Sequence, residues 1–425
     1  MKRPWILGAG VLLLSGVFPL LIQAEEETVR TEVYAYVEEK APDLTSTKVF
    51  LMDGGQNQIL LNRNGDDRMF PASLTKMMTE ILAIENLNDL NQTVTITEKM
   101  WDGLLEANAS VAGFEVGSVA TVRDLLYGCA LPSGADAVNA LALTVSPDIP
   151  SFVERMNQKA QEIGMTDTHF SNPTGLHAED HYSTAHDLAL LLQYCLQNET
   201  FKELLEAPSY TTTGGLVLES TVWSKIDGEI PGFVGGKTGY TLQAGRCLAS
   251  AADFNGMRLI LVTGGGEGEG PIRDAEILYD WYNEQYERKT ILDEREPLID
   301  IPVSDTWPQK NIMVFNPYRV TMDLPKNAVV QRNPQVVETL YAPVEKGTRL
   351  GTFTITADEQ VIYAAEIQAP VSIRRSTTAY LLRRMKDHPF LSIFCIGCMA
   401  ALLWLLRQRR KRRKRRRMRR KRRAA

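Results

Sequence analysis

A serine and a lysine lie one helical turn apart in the segment Phe70-Pro71-Ala72-Ser73-Leu74-Thr75-Lys76. The chain after it is apolar at positions 77, 78, 81, 82 and 84, a spacing typical of a helix with one buried face. Pro71 suits the start of a helix, because its missing N–H would have no partner there. The pattern predicts a mostly buried helix with Ser73 in its first turn and Lys76 on the same face.

This serine–lysine pair suits one kind of chemistry. A serine hydroxyl is a weak nucleophile until a neighbouring base takes its proton. A lysine amine can act as that base only when it is neutral, which requires burial or a second cation to lower its pKa. A helix N-terminus would also favour negative charge on an attacked carbonyl oxygen. The alternative interpretation is an ordinary helix with a capping serine and a solvated lysine, since Ser-x-x-Lys alone is a weak signal.

Length and charge limit the possible classes of protein. The 425 residues suffice for two or three domains. The formal net charge of −5 conceals an asymmetry, because residues 407–423 hold 15 Lys and Arg. The rest of the chain is therefore strongly acidic, and we expect no nucleic-acid partner.

Both ends of the chain carry membrane signals. Residues 1–24 combine a basic start, an apolar run and a small-residue end, which predicts a secretory signal peptide; a retained membrane anchor is the alternative. Residues 389–406 are 18 uncharged residues, just enough for a transmembrane helix. The basic tail, 407–425, would stay in the cytoplasm and contact anionic membrane lipids. The prediction is a cell-membrane protein with a single C-terminal span and its body on the extracytoplasmic side.

Cysteines and histidines predict neither a disulfide framework nor a metal site. Cys129, Cys195 and Cys247 lie in apolar contexts typical of buried thiols. Cys395 and Cys398 form a C-x-x-C pair, but it falls inside the apolar run, where packing is the expected role. The histidines between 177 and 186 lack metal-ligand spacing on a helix.

The remaining pattern divides the body into two parts. Strand patterns at both ends of residues 43–287 enclose helical ones, which predicts one α/β domain. Predicted strands cover 48–53, 58–62, 92–97, 246–252 and 257–264, the last two joined by an Asn255-Gly256 turn. Predicted helices cover 122–131, 136–144, 151–163, 184–197 and 272–286, with a long loop at 165–182. After a charged linker at 287–296, short β-branched segments predict a small β-rich domain over 298–373. A basic connector, 374–388, follows it.

Two further short motifs follow the first in the chain. The three are Ser73-x-x-Lys76, Ser133-Gly134-Ala135 and Lys237-Thr238-Gly239. Serine β-lactamases and penicillin-binding proteins carry such a set. Ser133 lies between two predicted helices, where its hydroxyl can relay protons. Lys237 can bind a carboxylate and lower the pKa of Lys76. Thr238 can hydrogen-bond the same carboxylate, and Gly239 lets substrate approach the strand backbone closely.

With these motifs, residues 43–287 resemble the low-molecular-mass penicillin-binding proteins, the serine-type D-alanyl-D-alanine carboxypeptidases. The matching segments are 71–79, 124–128, Phe170-x-Asn172-Pro173-x-Gly175-Leu176, 181–188 and 236–241 with Ala244-Gly245. The resemblance covers over half of the chain. It implies a serine β-lactamase/transpeptidase-like α/β fold, an antiparallel sheet with a helical subdomain, followed here by the β-rich domain and a transmembrane helix.

The resemblance also implies roles for individual residues. Ser73 would attack the D-Ala-D-Ala bond of peptidoglycan stem peptides, Lys76 would be the general base and Ser133 would carry the proton to the leaving D-alanine. Lys237 and Thr238 would hold the terminal carboxylate, and the N–H groups of Ser73 and Tyr240 would form the oxyanion hole, with Gly239 beside them. β-Lactam antibiotics would act as inhibitors, and no metal or cofactor is required.

Two departures from the family pattern leave alternatives open. Position 135 is alanine where the family usually has asparagine, and lost hydrogen bonds there would cost about 1–3 kcal/mol each. Asn139, one turn further, could in principle reach the cleft, but a position on the helix surface is the preferred interpretation. The chain also ends in a predicted span rather than a membrane-surface helix. The leading hypothesis is a membrane-anchored D,D-carboxypeptidase. One alternative is a D,D-endopeptidase of the same mechanism, and another is a β-lactamase, although the sequence shows no clear deacylation glutamate motif. A third is a non-catalytic scaffold that binds peptidoglycan or penicillin, because Ala135 replaces the usual asparagine.

Overall fold

The computed structural model describes residues 29–33, 41–226, 230, 232–254 and 256–423, so the predicted signal peptide 1–24 and Asn255 lie outside the described residues. Its strands are β1 (Val29–Val33), β2 (Lys48–Asp53), β3 (Gln58–Arg63), β4 (Thr93–Thr95), β5 (Val119–Thr121), β6 (Ser209–Thr211), β7 (Val217–Glu219), β8 (Phe233–Thr241), β9 (Gly245–Phe254), β10 (Met257–Gly266), β11 (Tyr286–Leu292), β12 (Pro297–Ser304), β13 (Lys310–Phe315), β14 (Val320–Pro325), β15 (Val330–Val336), β16 (Leu340–Tyr341), β17 (Arg349–Ala357) and β18 (Gln360–Gln368). Its α-helices are α1 (Lys76–Asn86), α2 (Val122–Ala130), α3 (Ala135–Val145), α4 (Ile149–Glu162), α5 (Ala185–Cys195), α6 (Glu199–Glu206), α7 (Gly270–Gln285), α8 (Thr377–Asp387) and α9 (Pro389–Arg423).

The central sheet joins the two ends of the predicted α/β region. Its order is β3-β2-β10-β9-β8, and all neighbouring strands run antiparallel. β2 from the start of the chain pairs with β10 from about 200 residues later, with Leu51 opposite Leu261. This confirms the predicted class, an antiparallel sheet with a helical part inserted between its strands.

Helices cover both faces of this sheet. Phe50 and Val262 pack with α1 and α5 in one core cluster, while Leu51 and Leu261 pack with α7 in another. Side chains alternate between the two faces of a strand, so a strand covered on both sides is apolar throughout. The run 49–52 in β2 is continuously apolar and fully buried for that reason.

Several segments differ from the sequence-based expectation. Ser73 lies in a short 3₁₀ turn, Ala72–Thr75, and the α-helix begins only at Lys76. Residues 199–219 hold α6, β6 and β7, which the sequence pattern did not predict because each is short. The predicted charged linker 287–296 was wrong in its first half, which forms β11 and pairs with β14. β11 was not predicted because it is rich in charged residues, and the buried partners of Arg288 come from β2 and β14.

The C-terminal part is β-rich, as predicted. It contains three sheets, with the strand orders β11-β14, β13-β12-β16 and β1-β18-β17-β15. They surround an apolar core that includes the fully buried Val303, Ile355 and Tyr363. β1, for which the sequence analysis predicts no strand, forms the edge of the third sheet, with Val29 opposite Ile367.

A buried ion cluster connects this β-rich part to the central sheet. Arg288 of β11 donates to Asp53 of β2 and, at 2.9 Å, to Asp323 of β14, and both aspartates are fully buried. The pKa of Asp53 is raised to about 6, first by burial and then by the neighbouring Asp323. Gln58 adds two hydrogen bonds to the backbone of Asp323. The guanidinium therefore holds two like charges together across the junction.

The chain ends in two helices, of which the second has the length and composition of a membrane span. Within the described residues, one helical segment passes that test, Ser392–Lys414, which contains an 18-residue window of mean hydropathy 1.3. The predicted connector 374–388 contains α8, which Arg383 fastens to Asp305 at 2.7 and 2.9 Å.

We expect Arg288→Met to lower the free energy of unfolding by about 3 kcal/mol at pH 8, because it leaves two buried carboxylates without their cation. The loss should be smaller at pH 5, where protonation relieves their repulsion. Denaturant unfolding at both pH values measures it. Arg319→Met, which removes an exposed arginine paired with Asp293, should change stability by less than about 0.5 kcal/mol. An equal loss in the two variants would contradict the role of the cluster.

Candidate active site

The Ser73 turn, Ala72–Thr75, is shaped by an unusual backbone. Ala72 has φ +47°, a left-handed conformation that is strained for a residue with a Cβ. The neighbouring loop makes room for it at Gly175, where a Cβ would lie 1.9 Å from the carbonyl oxygen of Ala72. Asn172 holds that loop by accepting hydrogen bonds from the backbone N–H groups of Thr174 and Gly175. The long loop is thereby packed directly behind Ser73.

Lys76 follows the turn as the first residue of α1, and its amine lies between two hydroxyls. Its Nζ is 2.8 Å from Ser73 Oγ and 3.1 Å from Ser133 Oγ. The side chain is 2% exposed. Burial, and after it the positive charge of Lys237, lowers the pKa of Lys76 to about 7. A neutral amine is therefore available near physiological pH.

Ser133 reaches this amine from the connection between α2 and α3. Its φ of +64° is another left-handed conformation at a residue other than glycine. The segment after it is held by Asp136, whose carboxylate accepts hydrogen bonds from the backbone N–H groups of Ala112, Gly113 and Phe114. The strained turn directs the Ser133 hydroxyl to Lys76.

Lys237 and Thr238 come from β8, an edge strand of the central sheet. Lys237 is 1% exposed and its Nζ donates to the carbonyl of Thr238 at 3.3 Å. Burial lowers the pKa of Lys237, while the charge of Glu80 opposes that shift. The Thr238 hydroxyl lies 2.8 Å from that of Thr221, which precedes the short turn Trp223–Lys225. The pair of threonine hydroxyls extends the polar surface beside the lysine.

Gly239 and Tyr240 complete the strand. A Cβ on Gly239 would lie 3.1 Å from both Ala72 Cβ and Ser73 N. The structure thus gives a reason for this glycine beyond substrate approach, since it allows β8 to pack against the Ser73 turn. Tyr240 is exposed, and the Arg246 guanidinium lies 4.6 Å from the centre of its ring.

Position 135, where the family usually has asparagine, is occupied by an alanine that is buried in the protein interior. Ala135 begins α3 and is 1% exposed. Asn139 does not replace it, and its interpretation as a helix-surface residue was wrong, because it is buried and donates to the carbonyl of Met100 at 3.0 Å.

Sequence reasoning gave no role at the site to four residues that lie around it: Glu80, Asp136, His181 and Thr221. A polar residue inside an otherwise apolar helical face was the available signal for Glu80 on α1. Thr221 carried no signal, because it lies far from the three motifs in the chain and is brought to Thr238 by folding.

His181 supports the Ser73 turn from the long loop. Its Nδ1 accepts from the backbone N–H of Ser171 at 3.0 Å, so its Nε2 carries the proton and donates to Thr75 Oγ1 at 2.8 Å. Burial lowers the pKa of His181 to about 4. The imidazole is therefore neutral at physiological pH.

Together these groups suit acyl transfer at a carbonyl next to a carboxylate. Ser73 provides a hydroxyl, Lys76 a neutral amine in contact with it, and Ser133 a second hydroxyl on the same amine. Lys237 provides a buried cation for an anionic substrate group. Within the described residues, no cluster of His, Cys, Asp and Glu has the arrangement of a metal site.

Comparisons with known proteins agree with this chemistry. A sequence model of the family described as D-alanyl-D-alanine carboxypeptidase matches residues 35–267. The carboxypeptidase DacF of Bacillus subtilis is 29% identical and aligns over 88% of this chain and 95% of its own length. DacA of Haemophilus influenzae is 30% identical over 77% of this chain and 85% of its own.

Solved structures give the same result. Penicillin binding protein 5 from Haemophilus influenzae superposes with a TM-score of 0.62 at 27% identity, covering 80% of this chain and all of that one. The Streptomyces K15 DD-transpeptidase superposes with a TM-score of 0.53 at 29% identity, over 57% of this chain and 98% of that one. The second match covers a smaller share of this chain.

The buried neutral imidazole of His181 makes folding stability depend on pH. The unfolded chain binds a proton there below pH 6.5, whereas the folded chain binds it only below about 4. The stabilisation is therefore complete above pH 6.5 and is lost as the pH falls towards 4. Between those values the unfolding free energy of the wild type, relative to His181→Asn, should fall by up to about 3 kcal/mol.

Denaturant unfolding of both proteins at several pH values measures this difference. Asn157→Ala, which removes two hydrogen bonds to Phe170 of the same loop but no titratable group, should destabilise the fold by an amount that does not vary with pH. A wild-type-to-His181→Asn difference that stays constant from pH 7 to pH 4.5 would contradict the assignment.

Proposed function

This chain belongs to the family of serine-type D-alanyl-D-alanine carboxypeptidases, and we propose that it removes the terminal D-alanine of peptidoglycan stem pentapeptides through an acyl-enzyme on Ser73. The observation that carries the proposal is the position of Lys76. Its buried amine is within hydrogen-bond distance of both Ser73 and Ser133. An ordinary solvated lysine would have neither contact nor a pKa lowered to about 7.

The first step forms the ester. Ser73 Oγ attacks the carbonyl carbon of the penultimate D-alanine while its proton passes to Lys76 Nζ. The C–N bond then breaks, and the proton travels from Lys76 through the Ser133 hydroxyl to the departing amine of D-alanine. Lys76 is thereby returned to its neutral form. The distances of 2.8 and 3.1 Å support this relay, because a proton can follow hydrogen bonds of that length.

Lys237 and Thr238 would orient the substrate. The Lys237 ammonium provides the charge, and the Thr238 hydroxyl the hydrogen bond, for the terminal carboxylate of the peptide. Gly239 keeps this strand in contact with the backbone N–H of Ser73. That contact supports an oxyanion hole formed by the N–H groups of Ser73 and Tyr240.

Hydrolysis of the ester completes the cycle. Water attacks the acyl carbon, Ser73 leaves with its proton restored, and the tetrapeptide is released. A β-lactam carries a carboxylate near its reactive carbonyl and would acylate the same serine. Its ring-opened leaving group remains attached, so we expect slow deacylation and lasting inhibition.

We also propose that residues 389–406 anchor the enzyme in the cell membrane, with the active site on the extracytoplasmic side and the tail 407–425 in the cytoplasm. Support comes from the apolar part of Ser392–Lys414, which ends at Leu406, and from the 15 basic residues of the tail. α8 adds support, because its exposed face carries Leu381, Leu382 and Met385 directly before α9. Removal of residues 1–24 as a signal peptide fits the same topology.

Ser73→Ala should abolish the release of D-alanine from a synthetic pentapeptide, lowering kcat/KM by at least about a thousandfold. The same variant should no longer be labelled by a fluorescent penicillin. Ser209→Ala, at an exposed serine in β6, serves as the control and should keep full activity. Cleavage by the Ser73→Ala variant would overturn the mechanism. Binding of penicillin by a wild type that releases no D-alanine would favour the scaffold instead, and cleavage of cross-linked dimers alone would favour an endopeptidase.

A chain ending at Asp387 should appear in the soluble fraction after export, whereas the full chain should require detergent for extraction. The physical reason is that removal of the apolar segment removes the favourable transfer into the bilayer. Protease added to intact spheroplasts should digest the body of the full chain and leave the basic tail protected. A full chain that washes off in high salt would contradict a spanning helix.

A further inference from the structure

A buried carboxyl that the mechanism does not use lies behind the two lysines. Glu80 is one turn beyond Lys76 on α1 and is 2% exposed. Its Oε1 is among the buried oxygens that have no hydrogen-bond partner within the described part of the chain. A small cavity is lined by Glu80, Leu205, Ser220, Gly236 and Lys237. The carboxyl thus shares a buried space with the lysine of β8.

The electrostatic coupling of Glu80 is stronger to Lys237 than to Lys76. Burial raises the pKa of Glu80 to about 7, and Lys237 is the charge that opposes this shift most, ahead of Lys76. Conversely, Glu80 is the main charge that opposes the lowering of the pKa of Lys237. For Lys76, the leading charge is Lys237, and Glu80 contributes less.

The proposed reaction requires one of two buried amines to be neutral and the other to be protonated. Lys76 must be neutral to accept a proton, whereas Lys237 must be protonated to bind a carboxylate. Both side chains are almost completely buried and repel each other when charged. Burial alone would drive both to the neutral form as the pH rises. A negative charge that acts more strongly on one amine raises the pKa of that amine above the pKa of the other.

We propose that Glu80 is a positioning residue of the carboxylate-binding site: its buried carboxylate keeps the Lys237 side chain an ammonium ion while Lys76 acts as a free amine. This inference rests on the proposed function. Glu80 touches no substrate in this scheme and acts through Lys237. Its effect is therefore on substrate binding above neutral pH rather than on the chemical step.

The other titratable groups around Glu80 leave this coupling in place. The Cys129 thiol of α2 hydrogen-bonds the carboxyl, and burial raises the pKa of that thiol well above its usual range, so it stays neutral. Burial also raises the pKa of the Cys195 thiol of α5 well above its usual range, so this thiol stays neutral as well. Asp136 of α3 acts on Lys76 and is held by three backbone N–H groups. Lys237 of β8 is thus the cation that responds most to the charge of Glu80.

The test is the pH dependence of D-alanine release by the full chain in detergent, with Glu80→Gln compared to wild type. Glutamine keeps the shape and removes the charge. We expect the alkaline limb of kcat/KM to move to lower pH by about one unit. At a pH above that limb, KM should rise roughly tenfold while kcat changes little. A pentapeptide ending in D-alaninamide, which has no carboxylate, should show no such shift.

Two variants make the result decisive. Glu80→Asp draws the charge back by one methylene, so its alkaline limb should lie between those of wild type and Glu80→Gln. It also serves if the glutamine variant fails to fold. Glu85→Gln removes a carboxylate that lies on α1, like that of Glu80, but is paired with Lys159 of α4. This variant should leave the pH profile of kcat/KM unchanged.

The outcomes separate this inference from the proposed function. A wild type that releases no D-alanine overturns the carboxypeptidase proposal itself. An active wild type together with a Glu80→Gln variant that loses activity equally at every pH, or loses none, overturns only the role of Glu80. A shift of the alkaline limb that is also present for the amide substrate would likewise exclude action through carboxylate binding.

Discussion

The mutual repulsion of two buried lysines is the constraint on which this active site depends. Lys76 and Lys237 are each nearly inaccessible to water, and the positive charge of Lys237 adds to burial in lowering the pKa of Lys76. In an open site both would be solvated ammonium ions, and Ser73 would have no base. In the mechanism we propose, burial makes the Lys76 amine available as the base, and the charge of Lys237 contributes to this. The same pair would then supply both the free amine and the cation that binds the substrate carboxylate.

The scaffold serves to bring these lysines together from distant parts of the chain. Lys76 begins α1 near the start of the domain, whereas Lys237 is on β8 near its end. The central sheet unites them because β2 and β10, from opposite ends of the domain, are neighbours in it. Close packing then requires small residues at the contact. Gly239 and Gly175 both approach Ala72 so closely that a Cβ would collide or crowd there.

Much of this arrangement was predictable from the sequence, and the exceptions have physical reasons. The chemistry of the short motifs could be recognised from the sequence alone, and these motifs contain Ser73, Lys76, Ser133 and Lys237. The structure brings the four residues together. The strands and helices of the α/β part were recognisable because apolar residues recur with the right period. β11 was not predicted because its charged residues are typical of a solvent-exposed linker. Only the folded structure shows that Asp53 and Asp323 pair with Arg288. Glu80, Thr221 and the true position of Asn139 depend on tertiary contacts, which no local pattern records.

The pairing of β1 with β18 has a consequence for the order of folding. These strands are separated by more than 320 residues along the chain, and Val29 lies opposite Ile367. A ribosome makes β1 more than 320 residues before β18, so this edge of the sheet cannot close until β18 has been made. The nascent chain carries β1 without its partner strand over that interval. An unpaired extended segment of this kind is prone to pair with other chains, and a chaperone that binds extended segments would protect it.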